Sequence, residues 1–236
     1  YGQPLHAFDF DTLKDGKVVV RQARDGETLA ALDDQTHKLR SPMLVIADST
    51  DVIALAGVIG GVPTSVTDGT KNILLESASF DRINTYRTRK AIGDGTDASY
   101  RFERGVRPAL APKALRRAIG LILEVTGGTA ATGIVDVYPE PEPEQTLRLS
   151  GNRMRQVLGV ELSMDDAVRT LGSLGFDRIE GDSTLADQAL VKIPYWRSDV
   201  AIEDDLVEEV ARIIGYDSIP TTMMATPIPH HDPQPQ

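Results

Sequence analysis

Residues 93–105, Gly-Asp-Gly-Thr-Asp-Ala-Ser-Tyr-Arg-Phe-Glu-Arg-Gly, place a Thr, an Asp and a Ser among small residues and follow them with an Arg-Phe-Glu-Arg run. These types in this order fit four roles: a phosphate cradle, a catalytic loop, the wall of a small-molecule pocket, or a charged turn. Ser99 has no His base in its sequence context, so a hydrolase triad has no support. No Gly-x-x-x-x-Gly-Lys-Ser/Thr loop occurs, which excludes that phosphate-binding motif. Gly57-Val-Ile-Gly-Gly61 has the wrong spacing for a dinucleotide fingerprint; its glycines read as permitting tight turns and close backbone approach. His6 and His37 stand too far from other ligand types to suggest a metal site, and His230-His231 lies in a Pro-rich tail.

The chain has 236 residues, 41% of them hydrophobic, enough to bury one large or two modest cores. No run approaches the roughly 18 to 20 apolar residues of a membrane span, so no membrane partner is expected. The absence of cysteine removes disulfides, thiolate metal sites and cysteine nucleophiles, and fits a cytoplasmic location. A net charge of −10 argues against blanket binding of nucleic acid, so any RNA contact must be local. The densest cationic stretch, Arg82 to Arg107, reads on composition as a solvated face. Tyr1 in place of an initiator Met, and the tail at Pro227 to Gln236, read as the ends of a piece of a longer polypeptide.

The elements that must position these residues follow from periodicity. Lys17–Arg21, Leu44–Ala47 and Ile73–Leu75 read as strands of a mixed sheet, with turns at Asp15-Gly16, Asp25-Gly26 and Asp68-Gly69. Pro108 to Thr126 reads as a helix with Leu110, Ala114, Ala118, Ile122 and Val125 on one face. The acidic, Pro-rich segment Tyr138 to Glu144 marks a boundary. Beyond it, Ser150 caps a short helix ending at Gly159, and Ser163 with Asp166 opens a helix stopped by Gly175. Val191 and Ile193 mark a strand, and Asp199 to Ile214 reads as a third helix with an acidic first turn. The fold class is α+β, with a mixed-sheet first domain and a small, mostly helical, winged-helix-like second one.

Four ordered motifs carry a resemblance: Gly2-Gln-Pro-Leu-His-Ala-Phe-Asp9, Ala56-Gly-Val-Ile-Gly-Gly61, Leu74-Leu-Glu-Ser-Ala-Ser-Phe80, and Thr96 through Val106. They resemble successive signatures of the β subunit of bacterial phenylalanyl-tRNA synthetase. Pro194-Tyr-Trp-Arg-Ser-Asp199 and Asp205 through Asp217 resemble that subunit's next module. The resemblance implies a B3/B4 editing domain over residues 1–138, truncated at its N-terminus and so lacking a helix expected to contribute to the site. It further implies a Pro/Glu linker at 139–146, a B5 domain at 147–222 and a C-terminal linker at 223–236.

It also implies hydrolysis of tyrosine mischarged on the phenylalanine tRNA. An apolar pocket rejects an added hydroxyl only about a hundredfold, so a second site that reads that hydroxyl is needed. Carried over by motif, Glu76 reads the tyrosine hydroxyl, and Gly60 and Ala98 line the substrate pocket. His6 and Thr96 act near the ester, and no covalent nucleophile is expected. The loop at 93–105 then becomes a pocket wall, locked by ion pairing among Arg101, Glu103 and Arg104. Without the resemblance, Glu76 reads as a strand-end carboxylate paired with an Arg. The implied partners are the phenylalanine tRNA and a synthetase α subunit in an α2β2 assembly. No cofactor is expected in this segment, with ATP and Mg confined to the complete synthetase. The alternative is a structural, tRNA-positioning segment whose pocket has decayed; an independent nucleic-acid binder using the second module is disfavoured by the charge. Ala56, where the family commonly has Gly, departs from its pattern.

Overall fold

The computed structural model describes residues 1–180 and 187–221, and the chain divides into two compact units, Tyr1–Val137 and Tyr138–Gln236. The tail expected as a linker at 223–236 lies outside the described residues.

The first unit opens with strands β1 (Leu5–Asp9), β2 (Val19–Gln22), β3 (Thr28–Ala30), β4 (Thr36–Lys38), β5 (Leu44–Ala47), β6 (Val52–Leu55), β7 (Ile59–Gly60) and β8 (Ile73–Ser77). Helices α1 (Arg82–Ile92), α2 (Asp97–Phe102) and α3 (Ala111–Thr126) follow. The strands form a four-stranded sheet in the order β2-β5-β6-β7, a β3-β4 hairpin and a β1-β8 ribbon, each pair antiparallel. Both faces of the larger sheet are covered. Val45 and Leu55, paired across β5 and β6, enter one apolar cluster with Leu29 and Val58; their neighbours Ile46 and Ala54 enter another with Phe8 and Ile53. Two buried faces explain why these strands read as unbroken apolar runs rather than alternating ones.

The ribbon that carries the site is fixed by register. Phe8 pairs with Leu74, and both pack in the second cluster. Side chains alternate along a strand, so His6 and Glu76, paired with each other two positions on, share the face of Phe8 and Leu74 at the margin of this core. Asp9 anchors the far end: its carboxylate accepts from the Asp11 amide at 3.1 Å and the Thr70 hydroxyl at 2.6 Å.

Several expectations shift. The cationic stretch Arg82 to Arg107 spans α1, α2 and the turn after it; in α1 Thr85 and Thr88 are buried while Arg82, Arg87 and Lys90 face outward. The helix expected from Pro108 begins as a 3-10 turn over Pro108–Leu110 before α3, and of its apolar stripe only Ala114 is buried, Val125 being 84% exposed. Periodicity defines an apolar face but does not supply a partner for it.

The second unit contains β9 (Thr146–Ser150), α4 (Gly151–Leu158), α5 (Met164–Ser173), β10 (Asp177–Arg178), β11 (Gln188–Lys192) and α6 (Glu203–Ile214). The strands pair antiparallel in the order β10-β11-β9, and one core joins Leu149, Met154, Leu171, Val191, Leu206 and Val210 from sheet and helices. The expected caps form: Ser150 Oγ accepts from the Arg153 amide and Ser163 Oγ from the Asp166 amide. Helix α6 starts at Glu203 rather than Asp199, because the Asp205 carboxylate accepts from the amides of Ala201 and Ile202 and fixes the turn there. The α+β class therefore holds, with sheets dominant in the first unit and helices in the second.

Candidate functional site

The five residues expected at the site come from four elements: His6 from β1, Gly60 from β7, Glu76 from β8, and Thr96 with Ala98 from the start of α2. His6 and Glu76 are direct cross-strand neighbours. Among the described residues, the buried atoms His6 Nε2 and Glu76 Oε2 have no hydrogen-bond partner, and Gln3 Oε1, two residues before β1, shares that state. Buried polar atoms are ordinarily satisfied, so two paired across one short ribbon, with a third just before it, mark a place where a polar ligand gains by binding.

Burial shifts both titratable groups toward neutrality. Desolvation pushes the Glu76 carboxyl up to about 7, while desolvation holds the His6 imidazole below its ordinary value. Among the described residues no Arg pairs with Glu76, as one would with an ordinary strand-end carboxylate. His6 is held edge-on against Phe8, with ring centroids 4.4 Å apart. Its other support is Gly60: a Cβ at that position would stand 2.9 Å from His6 Nε2 and 3.1 Å from Leu32 Cδ1. The space freed by this glycine is thus filled by the imidazole.

Thr96 reaches the same neighbourhood through the backbone. Its hydroxyl donates to the Val58 carbonyl at 2.6 Å and accepts from the Ser99 amide at 3.1 Å, capping α2 while tying it to the turn before β7. Ser99 completes the capping box, its hydroxyl accepting from the Thr96 amide. The hydroxyl proton of Thr96 is therefore committed to Val58, two residues from Gly60. Ala98 sits in the first turn of this helix and is half-buried. The turn itself is set by Gly57, whose φ of +70° favours glycine and whose Cβ would stand 2.8 Å from Phe80. Phe80 in turn meets Phe102 of α2 edge-on, with centroids 4.9 Å apart.

The stretch 93–105 is thus a helix N-terminus latched to the sheet. Its ion pairing differs from expectation: Glu103 pairs with Arg89 of α1 at 2.8 Å and with Arg104 at 3.7 Å, while Arg101 has no acid within 4 Å among the described residues. Sequence reasoning missed Gln3, whose Nε2 donates to the Ala78 carbonyl at 2.7 Å and closes the end of the ribbon. The signal was present, since Gln3 lies in the first of the recurrent motifs. Among the described residues no group of three or more His, Asp and Glu gathers as a cation site, and no helix is long and apolar enough to cross a membrane.

Comparison with known proteins bears on this arrangement. A family model described as the B3/4 domain matches residues 1–127, and one described as the tRNA synthetase B5 domain matches residues 147–216. The chain is 43% identical over 233 residues to the phenylalanine–tRNA ligase beta subunit of Salinibacter ruber, covering 99% of this chain and 28% of that protein. It is 45% identical over 223 residues to the subunit of the same name from Geobacter sulfurreducens, covering 94% and 28%. With that of Dehalococcoides mccartyi strain 195 it shares 42% over 238 residues, covering 97% and 29%. The chain spans between 28 and 29% of the length of these relatives. With its first unit matched to one domain model and its second to the other, the chain belongs to the B3/4 domain family, joined to a B5 domain as in the β subunit of bacterial phenylalanyl-tRNA synthetase.

Proposed function

We propose that the first unit is a hydrolytic editing site that clears tyrosine esterified to the phenylalanine tRNA, in support of Phe-tRNA synthesis by the complete enzyme. The observation that carries this reading is the half-buried His6–Glu76 pair, each side chain with one buried polar atom that has no hydrogen-bond partner among the described residues. A tyrosine hydroxyl gives Glu76 the partner it lacks; phenylalanine leaves that atom desolvated and unpaired, which is the asymmetry a selective pocket needs. With its pKa near 7, Glu76 can offer the hydroxyl either a proton or a lone pair at neutral pH.

Hydrolysis then needs a water aimed at the ester carbonyl. His6, held neutral by burial and fixed between Phe8 and Gly60, has a ring nitrogen to orient that water or the terminal ribose. Thr96 serves as a positioning residue that latches α2 and Ala98 to the turn before Gly60. We place the chain in the cytoplasm within an α2β2 assembly, with the α subunit and the phenylalanine tRNA as partners. ATP and magnesium belong to amino-acid activation by the complete synthetase.

The test is deacylation of Tyr- and Phe-esters of the phenylalanine tRNA by the complete enzyme, with and without Glu76→Ala. Selective loss of the Tyr ester, erased by the substitution, supports the reading. Equal background loss of both esters makes the unit a scaffold.

A further inference from the structure

Helices α1 and α2 carry a charge pattern that the hydrolytic site does not use. Residues 82–107 hold seven cations and three acids in a chain whose net charge is −10. Helix α1 turns Thr85 and Thr88 inward and leaves Arg82, Ile83, Tyr86, Arg87 and Lys90 exposed. Arg82, Arg87, Lys90 and Arg101 have no acid within 4 Å among the described residues. The three acids are differently placed: Glu103 is taken by Arg89 and Arg104, Asp94 accepts from the Gly95 amide, and Asp97 sits in the first turn of α2.

Of the four cations without an acid, Lys90 is held on an aromatic face, beside the Glu103-paired Arg89 and Arg104. Lys90 Nζ lies 5.3 Å from the Tyr86 ring centroid, and the Arg89 guanidinium lies 5.7 Å from Tyr86 and 5.0 Å from Tyr100. Arg104 lies 6.0 Å from Tyr100, so cations and rings alternate from α1 to α2. Gly95 permits this, since a Cβ there would stand 3.0 Å from Tyr100 and 3.1 Å from Arg89. A cation pre-positioned on an aromatic face, as Lys90 is on Tyr86, loses less conformational freedom on meeting an anion than a free one does.

We propose that the exposed face of α1, with Arg82, Arg87 and Lys90 beside Tyr86, is the docking surface for the sugar-phosphate backbone of the RNA that carries the ester. The occupant follows from charge complementarity: an acidic chain can hold a polyanion only where cations are clustered and unpaired. The surface is joined to the candidate site, because α2 begins at Thr96, which bonds to Val58 beside Gly60. It rests on the editing reading for the identity of the RNA.

The experiment measures binding of uncharged phenylalanine tRNA to the complete enzyme by fluorescence anisotropy, across about 50 to 200 mM salt. Arg87→Gln/Lys90→Gln is compared with Arg116→Gln/Arg117→Gln, which removes the same charge from exposed positions on α3. The first pair is expected to weaken binding roughly tenfold and to flatten the slope of log K against log salt by about 0.7–0.9 per lost contact. The α3 pair is expected to leave both near native. Native affinity and slope in the α1 variant overturn the proposal and leave an acidic protein face as the occupant; equal loss in both variants overturns it as a bulk-charge effect. The two readings separate because this RNA carries no ester. A flattened slope in an enzyme that never prefers the Tyr ester keeps the surface and removes the editing reading, while an unchanged slope beside intact Tyr preference does the reverse.

Discussion

The imidazole of His6 occupies the space that a side chain at position 60 would take, with Nε2 2.9 Å from where a Cβ of Gly60 would stand. The glycine is thereby a steric condition for the orientation of His6. Gly60→Ala is expected to push the ring or Leu32 aside and to cost about 1–3 kcal/mol, as overpacking of a filled site does. Chemical denaturation checks this, and a variant as stable as the native chain would show the ring to be loosely held.

Glu76 predicts the pH dependence of stability. Its folded pKa of about 7 lies above the ordinary 4.5, so the folded state holds this proton more tightly than the unfolded chain. The stability it contributes is complete below pH 4.5 and is lost as the pH rises through 7. Glu76→Gln keeps the shape and cannot ionise, so it should remove that decline and gain on the order of 2 kcal/mol relative to native at alkaline pH. Urea midpoints for both chains at acid and alkaline pH give the difference; parallel profiles would mean that Glu76 ionises normally.

Thr96 should behave as a latch. Thr96→Val removes both the cap of α2 and the bond to Val58 and is expected to cost about 1–2 kcal/mol, whereas Thr96→Ser keeps both and should stay close to native. Thermal melts of the pair decide it, because a role confined to the methyl group would reverse the order.

In the second unit, Glu209 is buried between Arg197 at 2.8 Å and Arg212. Its hydrogen bonds to these arginines, Arg197 first, hold its carboxyl below the ordinary range. This group contributes stability above its ordinary value of 4.5 that is lost as the pH falls through its lowered folded pKa. Arg197→Met leaves Arg212 as partner to a carboxylate that is still buried, and is expected to cost about 2–3 kcal/mol at neutral pH. Glu209→Gln with Arg197→Met should recover part of that loss, and a double variant no better than the single one would count against the pair.

Local sequence determined much of the second unit. The caps at Ser150 and Ser163 and the glycine stop after α4 depend on side chains and backbone angles within a few residues, so they can be read without knowledge of the fold. The motifs likewise named His6, Gly60, Glu76, Thr96 and Ala98. What the sequence could not supply is which of them meet. The β1-β8 register sets His6 against Glu76 across nearly 70 intervening residues, and Gly60 enters by packing from a different sheet. The shifted proton affinities of His6 and Glu76 exist because the fold places Phe8 and Leu74 on the same face and removes water from both groups. Helix α3 shows the reverse limit: its periodicity is legible, but burial depends on a partner surface, and only Ala114 is buried. Contacts made within a turn of chain are encoded locally, whereas desolvation and long-range pairing arise only when distant segments are brought together.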